Sequence, residues 1–508
     1  MQQYIKDFAQ LVGHEVSIKG WVTKIRKSKT ACFADFRDGS GFTQAVFALE
    51  SLGDEQFELA KTLTLESSLA ITGQLIRNEK SLGGYELQVN SFEIYHNAEG
   101  YPITKSDEEM GVKFLSDKRH LWLRSRRQWA IMRLRNQLIM SIHNFFQSED
   151  FVQMDAPLLT GSACEGTTDL FETDFFGQPA YLSQSGQLYG EAMAMAMGKI
   201  YTFGPTFRAE KSNTPRHLSE FWMIEPEMAF YTNEDNMNLI ERFIKSVIGE
   251  VLYRCKDELE VLGRDTSSLE KVVAETFPRV AYSDAVKILR GELEINGKNA
   301  IKLQEEDLAQ ATARLAEIQA EIAEREKAIA AGMKKGARRF NEGKILALRG
   351  EAKELEEKQR HIPDWIESAK NFEDGEDFGN SDETVLTRVF STPVMVYNWP
   401  AKIKSFYMKE VDGDPSLVKG VDLLAPDGYG EIVGGSERET SLEVLVRKIA
   451  EHNLDQDDFE WYLDLRRFGS VPHAGFGLGL ERLVRWVCGL NHVRETLPFQ
   501  RRYGQIKP

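Results

Sequence analysis

Cysteine is scarce in this 508-residue chain. There are four, Cys32, Cys164, Cys255 and Cys488, far apart and without a CxxC pair. That excludes a disulfide-stapled scaffold and a zinc ribbon, and fits a reducing compartment. Long apolar runs are missing as well: no stretch approaches the roughly 20 apolar residues that a bilayer-spanning helix needs. The first residues lack the basic-then-apolar pattern of a secretory signal. The expectation is a soluble, cytoplasmic protein. No GxxxxGK[ST] phosphate loop occurs, so nucleotide binding by that route is excluded. Excess positive charge is absent too. The formal net charge is −16, which argues against loose, non-specific nucleic-acid binding but leaves room for a specific RNA that meets a local basic patch. What the chain does have is apolar mass, 42% of its residues, and a length that implies two to four domains.

The most informative stretch runs from Gly204 to Phe230, GPTFRAEKSNTPRHLSEFWMIEPEMAF. It reads as a strand, a loop and a second strand. Phe203 and Phe207 are apolar positions of the first, and Phe221, Met223 and Met228 of the second, with turn formers and charge between. Arg208 and Glu210, two apart, are expected on one strand face. Two arginines, a histidine and an aromatic face are the means to hold a polyphosphate and stack a base. Taken alone, the segment reads more readily as a surface hairpin with solvated charges.

Three segments in order remove that ambiguity. FRAE followed by RHLSEF resembles the second signature motif of class II aminoacyl-tRNA synthetases. GFGLGLERL at 475–483 resembles the third. The apolar helix leading into FVQMDAPLL at 151–159 resembles the first, with Pro157 at its signature proline. The resemblance covers nearly the whole chain apart from one insertion. It implies an α+β fold: an N-terminal OB-fold barrel, then a class II antiparallel sheet flanked by helices.

In chain order, residues 1–98 read as five short alternating strands broken by turns, which suits an OB barrel. Lys24, Arg26, Lys27 and Lys29 lie beside Phe33 and Gln44. That is the pattern of a single-strand binder, or simply a solvated charge run. Residues 99–127 read as a polar linker with a basic end, placed near RNA or a dimer seam. From Gln128 to about Ser148 Ile131, Leu134, Leu138, Ile142 and Phe145 mark an amphipathic helix. Residues 235–277 read as helical. Residues 290–385 change character: Leu308, Leu315, Ile322 and Ile329 recur every seven residues, and Ile345, Leu348, Ala352 and Leu355 continue after GMKKG. This predicts an inserted antiparallel coiled-coil hairpin joined at 332–336, either an arm that touches RNA or a partner or a solvated structural hairpin. The acidic stretch 371–383 reads as a loop. The expected domains are therefore 1–98, a linker 99–127, a catalytic domain from 128–289 and 386–508, and the insertion 290–385.

The resemblance is strongest to the aspartate, asparagine and lysine subgroup, and within it to the asparagine branch. It implies ATP-dependent activation of L-asparagine to an adenylate, transfer to tRNA(Asn), Mg²⁺ held with the ATP, and a homodimer seam around Pro157. Arg208 and Arg482 are the implied catalytic residues. Arg208, Glu210, Arg216, His217, Phe221, Glu431 and Arg482 are the implied ATP contacts, with Asp422 and Glu431 as magnesium carboxylates. Glu165, Ser185, Gln187, Tyr189, Gly190, Glu225 and Arg438 would form the amino-acid site. Phe33, Gln44 and Glu86 would read the anticodon. Aspartate-specific relatives place a lysine where Gly190 stands and an aspartate where Glu225 stands. One cation is therefore missing here, and the longer Glu225 carboxylate would reach a side-chain amide. Two alternatives stay open from sequence: an aspartate-charging enzyme, and a synthetase-like RNA-binding protein without catalysis, which would have lost motif arginines.

Overall fold

The computed structural model describes residues 3–161, 170–212 and 214–508. The chain divides between Leu115 and Ser116 into two compact units. In the first, strands β1 (Glu15–Lys27), β2 (Ala31–Arg37), β3 (Phe42–Ala48), β4 (Ser68–Arg77) and β5 (Tyr85–His96) close into a barrel in the order β1-β2-β3-β5-β4. Strict alternation in β1 and β2 drives Val16, Ile18, Val22, Cys32, Ala34 and Phe36 inward, where they meet Phe47, Ile71 and Leu87. A helix, Leu49–Thr62, joins β3 to β4 and buries Phe57 and Ala60 against the barrel. The strand-by-strand reading had no place for it, because its apolar positions are few.

The second unit is built on a nine-stranded sheet of order β12-β13-β15-β16-β17-β11-β10-β6, with β14 paired to β15. Its strands are β6 (Val152–Met154), β10 (Lys199–Phe207), β11 (Glu220–Ala229), β12 (Arg279–Ala281), β13 (Val394–Pro400), β14 (Glu410–Val411), β15 (Asp414–Ala425), β16 (Gly430–Glu437) and β17 (His473–Gly479). The pairing is antiparallel except for β6 with β10 and β12 with β13, which are parallel. The sheet is thus largely rather than wholly antiparallel. A separate three-stranded sheet holds β7 (Leu159–Thr160), β8 (Glu172–Phe175) and β9 (Gln178–Leu182). The helix Arg126–Ser148 is capped by Ser125, whose hydroxyl accepts from the Gln128 amide. Its 3.6-residue apolar stripe, Ile131 to Phe146, packs with Phe243 of the helix Asn233–Arg254 and with Tyr201, Ile224 and Phe476 of the sheet. No described helix is long and apolar enough to cross a membrane.

Several local expectations change. Arg208 and Glu210 lie just past the end of β10, in the loop and not on the strand. One residue of the basic end of the segment read as a linker is internal, while Lys118, Arg124 and Arg126 stay exposed. Arg119 is buried and donates to the carbonyls of Leu497 (2.8 Å) and Pro498 (3.0 Å), and Arg127 pairs with Glu495 at 3.0 Å. Those chain-end carbonyls need donors once desolvated, and the arginines supply them. The stretch 371–383 is not all loop. A helix, Asn380–Thr387, starts within it, and the Asp382 carboxylate caps the Gly379 amide at 2.9 Å.

The insertion is a hairpin of two helices, Ala300–Ala330 and Lys335–Lys370, so the link is 331–334. Its outer part has its own core of Leu315, Ile318, Leu348 and Ala352, flanked by Ile322 and Leu355. Its root belongs to the main body: Ala300, Ile301 and Ala369 share a core with Val385, Val396 and Trp399. Interhelix pairs such as Arg314–Glu351 (2.9 Å) are exposed and contribute little. Ile318→Ala should therefore cost about 2–5 kcal/mol of local stability. Amides of the outer hairpin should exchange faster in hydrogen-exchange mass spectrometry, while those of β11 and β17 stay unchanged. Equal acceleration in both places would show one cooperative unit instead of two.

Candidate active site

Seven residues from three stretches far apart in sequence meet in one cavity of about 100 Å³. Arg208 and Glu210 come from the end of β10, Arg216 and His217 from the following loop, Phe221 from β11, Glu431 from β16 and Arg482 from the helix Leu480–Cys488 after β17. The Arg208 guanidinium lies 5.4 Å from the Phe221 ring centre, so a flat cation and a flat ring line the same space. Arg482 donates to both the carbonyl and the carboxylate of Glu431 at 3.0 Å. Arg216 is held by the Glu383 carboxylate and donates to the Gly428 carbonyl at 2.9 Å. His217 sits 3.7 Å from Glu210, and burial together with Arg482 pushes its pKa down, so the imidazole is neutral. Cations facing an open cavity in this way make a polyphosphate site.

Beside it lies a second cavity of about 200 Å³, and Arg208, Met223, Glu431 and Gly477 line both. Asp422 lines the second. The Asp422 and Glu431 carboxylates converge over Gly434: a Cβ there would sit 2.9 Å from Glu431 Oε1 and 3.5 Å from Asp422 Oδ1. Burial pushes Asp422 up, to about 7, against the pull of Lys404, which it meets at 2.7 Å. Burial also works against the charge of Glu431, but Arg482 and Lys404 outweigh it and hold that carboxyl low. Two convergent carboxylates beside a phosphate site fit a magnesium ion, which takes one or two carboxylates plus phosphate oxygens. No group of three or more protein ligands stands together among the described residues, so the donor set is of that sparse kind.

The second cavity also holds Ser185, Gln187, Glu225 and Arg438. Glu225 accepts from the Ser185 hydroxyl, the Gly186 amide (2.8 Å) and the Thr202 hydroxyl (3.1 Å). Arg438 does not pair with Glu225. Its partner is Glu227, fully buried, which accepts from both its Nε (3.2 Å) and a terminal nitrogen. Behind them Glu191 takes Arg466 at 2.8 Å, the Tyr462 hydroxyl at 2.8 Å and His473 at 3.0 Å. Burial pushes Glu227 up, to about 8, opposed by Arg438 and assisted by Glu191, whereas Arg466 and His473 overcome burial and hold Glu191 low. Gly475 makes room for this: a Cβ on it would stand 2.2 Å from Glu227 Oε1.

Two expected amino-acid contacts, Tyr189 and Gly190, fall elsewhere. Tyr189 turns away on the helix Gln187–Met197, stacks on Trp461 (5.2 Å, 13°) and shares a hydrogen bond with Thr160 at 3.0 Å. Successive helical residues point about 100° apart, so Gln187 and Tyr189 cannot both face one cavity. Gly190 backs onto Glu227, whose Cγ would lie 3.2 Å from an added Cβ. Glu165 lies outside the described residues. The sequence reading missed Glu227, Glu383, Glu191 and Lys404. Only Glu227 carried a signal: it is two residues from Glu225, and strand alternation puts both on one face.

In the barrel unit, Phe33, Gln44 and Glu86 are part-exposed on the outer face. Phe33 is in register with Arg26, whose guanidinium is 5.9 Å from the ring, and Gln44 is in register with Glu86. The Ser81 hydroxyl reaches Gln44 at 3.4 Å and Glu86 at 3.3 Å. A ring, a basic flank and two amide or acid groups on one face are the parts of a base-reading surface.

Residues 112–502 match the family described as tRNA synthetases class II (D, K and N), and residues 16–95 match the OB-fold nucleic acid binding domain. The chain is 45% identical to the asparagine–tRNA ligase of Symbiobacterium thermophilum, covering 98% of each chain. It is 43% identical to the same-named protein of Pelotomaculum thermopropionicum over 99% of each. Among solved structures it resembles the asparaginyl-tRNA synthetase of Pyrococcus horikoshii complexed with asparaginyl-adenylate, with a TM-score of 0.81, 34% identity and full coverage of both chains.

The buried pair yields a pH-dependent expectation. Glu227 binds its proton more tightly folded than unfolded. Its contribution to stability is therefore full below the ordinary carboxyl value of 4.5 and is lost progressively as pH rises from there through about 8. Arg438→Met leaves that carboxyl without its cation and should cost about 3–5 kcal/mol. In urea denaturation the gap to wild type should widen as pH is raised past that value. A gap independent of pH would mean that Glu227 does not titrate with Arg438.

Proposed function

Since the chain belongs to the class II tRNA synthetases of the aspartate, lysine and asparagine group, with asparagine ligases at 45% and 43% identity over its length, its activity is ATP-dependent ligation of asparagine to tRNA, and we propose the residue roles that follow. The observation that carries them is the pair of cavities sharing Arg208 and Glu431. One suits a nucleotide and the other a small polar amino acid. Their junction is where an adenylate would form.

The asparagine α-carboxylate attacks the α-phosphorus of ATP, and the bond to pyrophosphate breaks. A ribose hydroxyl of the tRNA terminal adenosine then attacks the adenylate carbonyl, and AMP leaves. The first nucleophile is already ionised, so no general base is required. Catalysis rests on alignment and on charge stabilisation. Arg208 meets the α-phosphate, Phe221 stacks the adenine, Glu210 accepts from its amine, Arg216 and His217 hold the outer phosphates, and Arg482 takes the γ-phosphate or the adenine face. Asp422 and Glu431 would hold Mg²⁺, which neutralises phosphate charge when bound. Phe33, Gln44 and Glu86 would meet the anticodon of tRNA(Asn).

A homodimer through the segment around Pro157 is part of this reading. Its supports are the edge strand β6, which leaves one side of the sheet open, exposed Val152 on it, and exposed Leu158 and Leu159 just after Pro157. Free, buried Cys32, Cys255 and Cys488 support a reducing, cytoplasmic setting.

Arg208→Ala should lose about 3–4 kcal/mol of transition-state stabilisation in asparagine-dependent ATP–pyrophosphate exchange, with an unchanged circular dichroism spectrum. Near-normal exchange would reject its role. For amino-acid choice, Arg438 donates to the side-chain oxygen and Glu225 accepts from the side-chain amide. Aspartate lacks that donor and brings a second negative charge, a mismatch able to reject an analogue by factors up to ~10⁴–10⁵. Wild-type protein should activate asparagine and not aspartate, and Glu225→Gln should lose the asparagine reaction. Equal activation of both amino acids by wild type would exclude this account.

A further inference from the structure

The hairpin leaves the body of the second unit at a groove of about 750 Å³, which Arg216, Arg388 and Arg485 line from the body side. Asp307 of the hairpin pairs with Arg388 at that root, at 2.6 Å. From Asp307 to the end of its helix at Ala330 the chain rises about 35 Å, at 1.5 Å per residue. None of the residues assigned to the reaction lies at the far end, yet the charge there is distinctive. Residues 300–326 hold seven acids against three cations, whereas 327–341, KAIAAGMKKGARRFN, hold Lys327, Lys334, Lys335, Arg338 and Arg339 and no acid. All five are exposed, in a protein of net charge −16. Arg338 meets Glu342, one turn along its own helix, at 2.9 Å. Lys327, Lys334, Lys335 and Arg339 form no ion pair among the described residues.

The seam between the two helices changes at the same end. Ile345, Leu348, Ala352 and Leu355 alternate by three and four residues, and the next seam position back is Asn341. Asn341 makes no apolar contact across the seam. It accepts from Arg325 of the facing helix at 2.8 Å. Phe340 stands one residue off the seam, about 100° round the helix, and is 62% exposed. It joins neither the hairpin core nor any ring pair among the described residues. Lys344, one turn on, shares its face and is also exposed without an ion pair. A solvated ring with no packing role thus stands among cations with no anion. A ligand that carries both phosphates and flat apolar faces satisfies both.

We propose that the hairpin tip is an RNA-binding site in its own right. It holds the folded body of the tRNA, with Lys334, Lys335 and Arg339 on backbone phosphates and Phe340 stacked on an unpaired base of the D or T loop. Double-stranded RNA presents mainly phosphates and 2′-hydroxyls, so an exposed ring finds a base face only where bases are unpaired. The anticodon is assigned to the barrel, and the 3′ end must reach the junction of the two cavities. The loops of the tRNA body are what remains for a tip standing about 35 Å beyond the hairpin root. Charge complementarity selects the occupant, because tRNA is the polyanion that the reaction must hold. This inference rests on the tRNA-charging activity described above.

The test uses full-length protein with intact tRNA(Asn) and with its isolated anticodon stem-loop. Replacing Lys334, Lys335 and Arg339 together by alanine should weaken binding of intact tRNA at least tenfold. It should also flatten the slope of log K against log salt by about 2, at roughly 0.7 for each single-strand phosphate. Phe340→Ala should weaken binding of intact tRNA roughly tenfold, and Phe340→Trp, which keeps a stacking face, should restore it. The stem-loop should bind wild type and every variant alike. In charging assays KM for tRNA should rise with kcat kept, and asparagine-dependent ATP–pyrophosphate exchange should not change. Binding of intact tRNA that is unaltered in the triple variant or in Phe340→Ala would overturn the proposal. So would equal loss for intact tRNA and stem-loop, or failure of Phe340→Trp to restore binding while its helix content matches wild type by circular dichroism. Exchange falling in parallel with binding would overturn it as well, by placing the damage in the catalytic site. Absence of exchange in wild type would instead reject the activity itself.

Discussion

The centre of the second unit depends on how a buried guanidinium is neutralised. Arg438 lies almost without solvent between Glu227, on β11, and Glu191, on the helix that opens at Gln187. Such a cation costs several kcal/mol to desolvate unless it is paired and hydrogen-bonded. Here the pairing is nested. Glu191 is itself held by Arg466, Tyr462 and His473, so each charge has a fixed partner and none can swing away. That rigidity fixes the orientation of Arg438 where it lines the second cavity. It also explains the glycines: a side chain on Gly475 would strike the Glu227 carboxylate.

The phosphate side is organised on the opposite principle. Its cations are half-paired with groups that ligands can replace. Arg482 rests on Glu431 and Lys404 on Asp422, and both carboxylates point at one space above Gly434. The Arg482–Glu431 pair keeps both members charged and pre-aimed, which lowers the reorganisation needed when an anion arrives. Arg216 is different. Glu383 reaches it from the helix that follows the insertion, so the hairpin is joined in sequence to the segment that steadies this arginine of the first cavity. The groove at the hairpin root shares that same arginine.

Much of this was legible in the amino-acid order. Alternation marked the barrel strands, a 3.6-residue stripe marked the helix Arg126–Ser148, and a seven-residue repeat marked the hairpin. These signals are local, because side-chain direction repeats along a strand or helix whatever lies elsewhere. The second and third motif segments pointed to one site for a different reason: between them they concentrate arginine, carboxylate, aromatic and glycine residues that line the cavities beside the core residues they also carry. Less legible were elements whose apolar positions are few, such as the helix Leu49–Thr62. The start of a helix inside an acidic stretch, at Asn380, was masked in the same way.

The sequence by itself determined the family, the two kinds of domain, and the set of arginines and carboxylates available for chemistry. Tertiary structure alone decided which charge meets which. Arg438 and Glu227 are 211 residues apart, and Arg216 and Glu383 are 167 apart. Both Glu225 and Glu227 carry the same local signal, yet only one reaches the arginine. The register of β11 against β17 sets that choice, pairing Glu227 with Gly475 and so opening the space its carboxylate occupies. A strand's own residues specify which face a side chain takes. Its partner across the sheet is fixed only when the neighbouring strands have been laid down, since desolvated charges then have no water to choose instead.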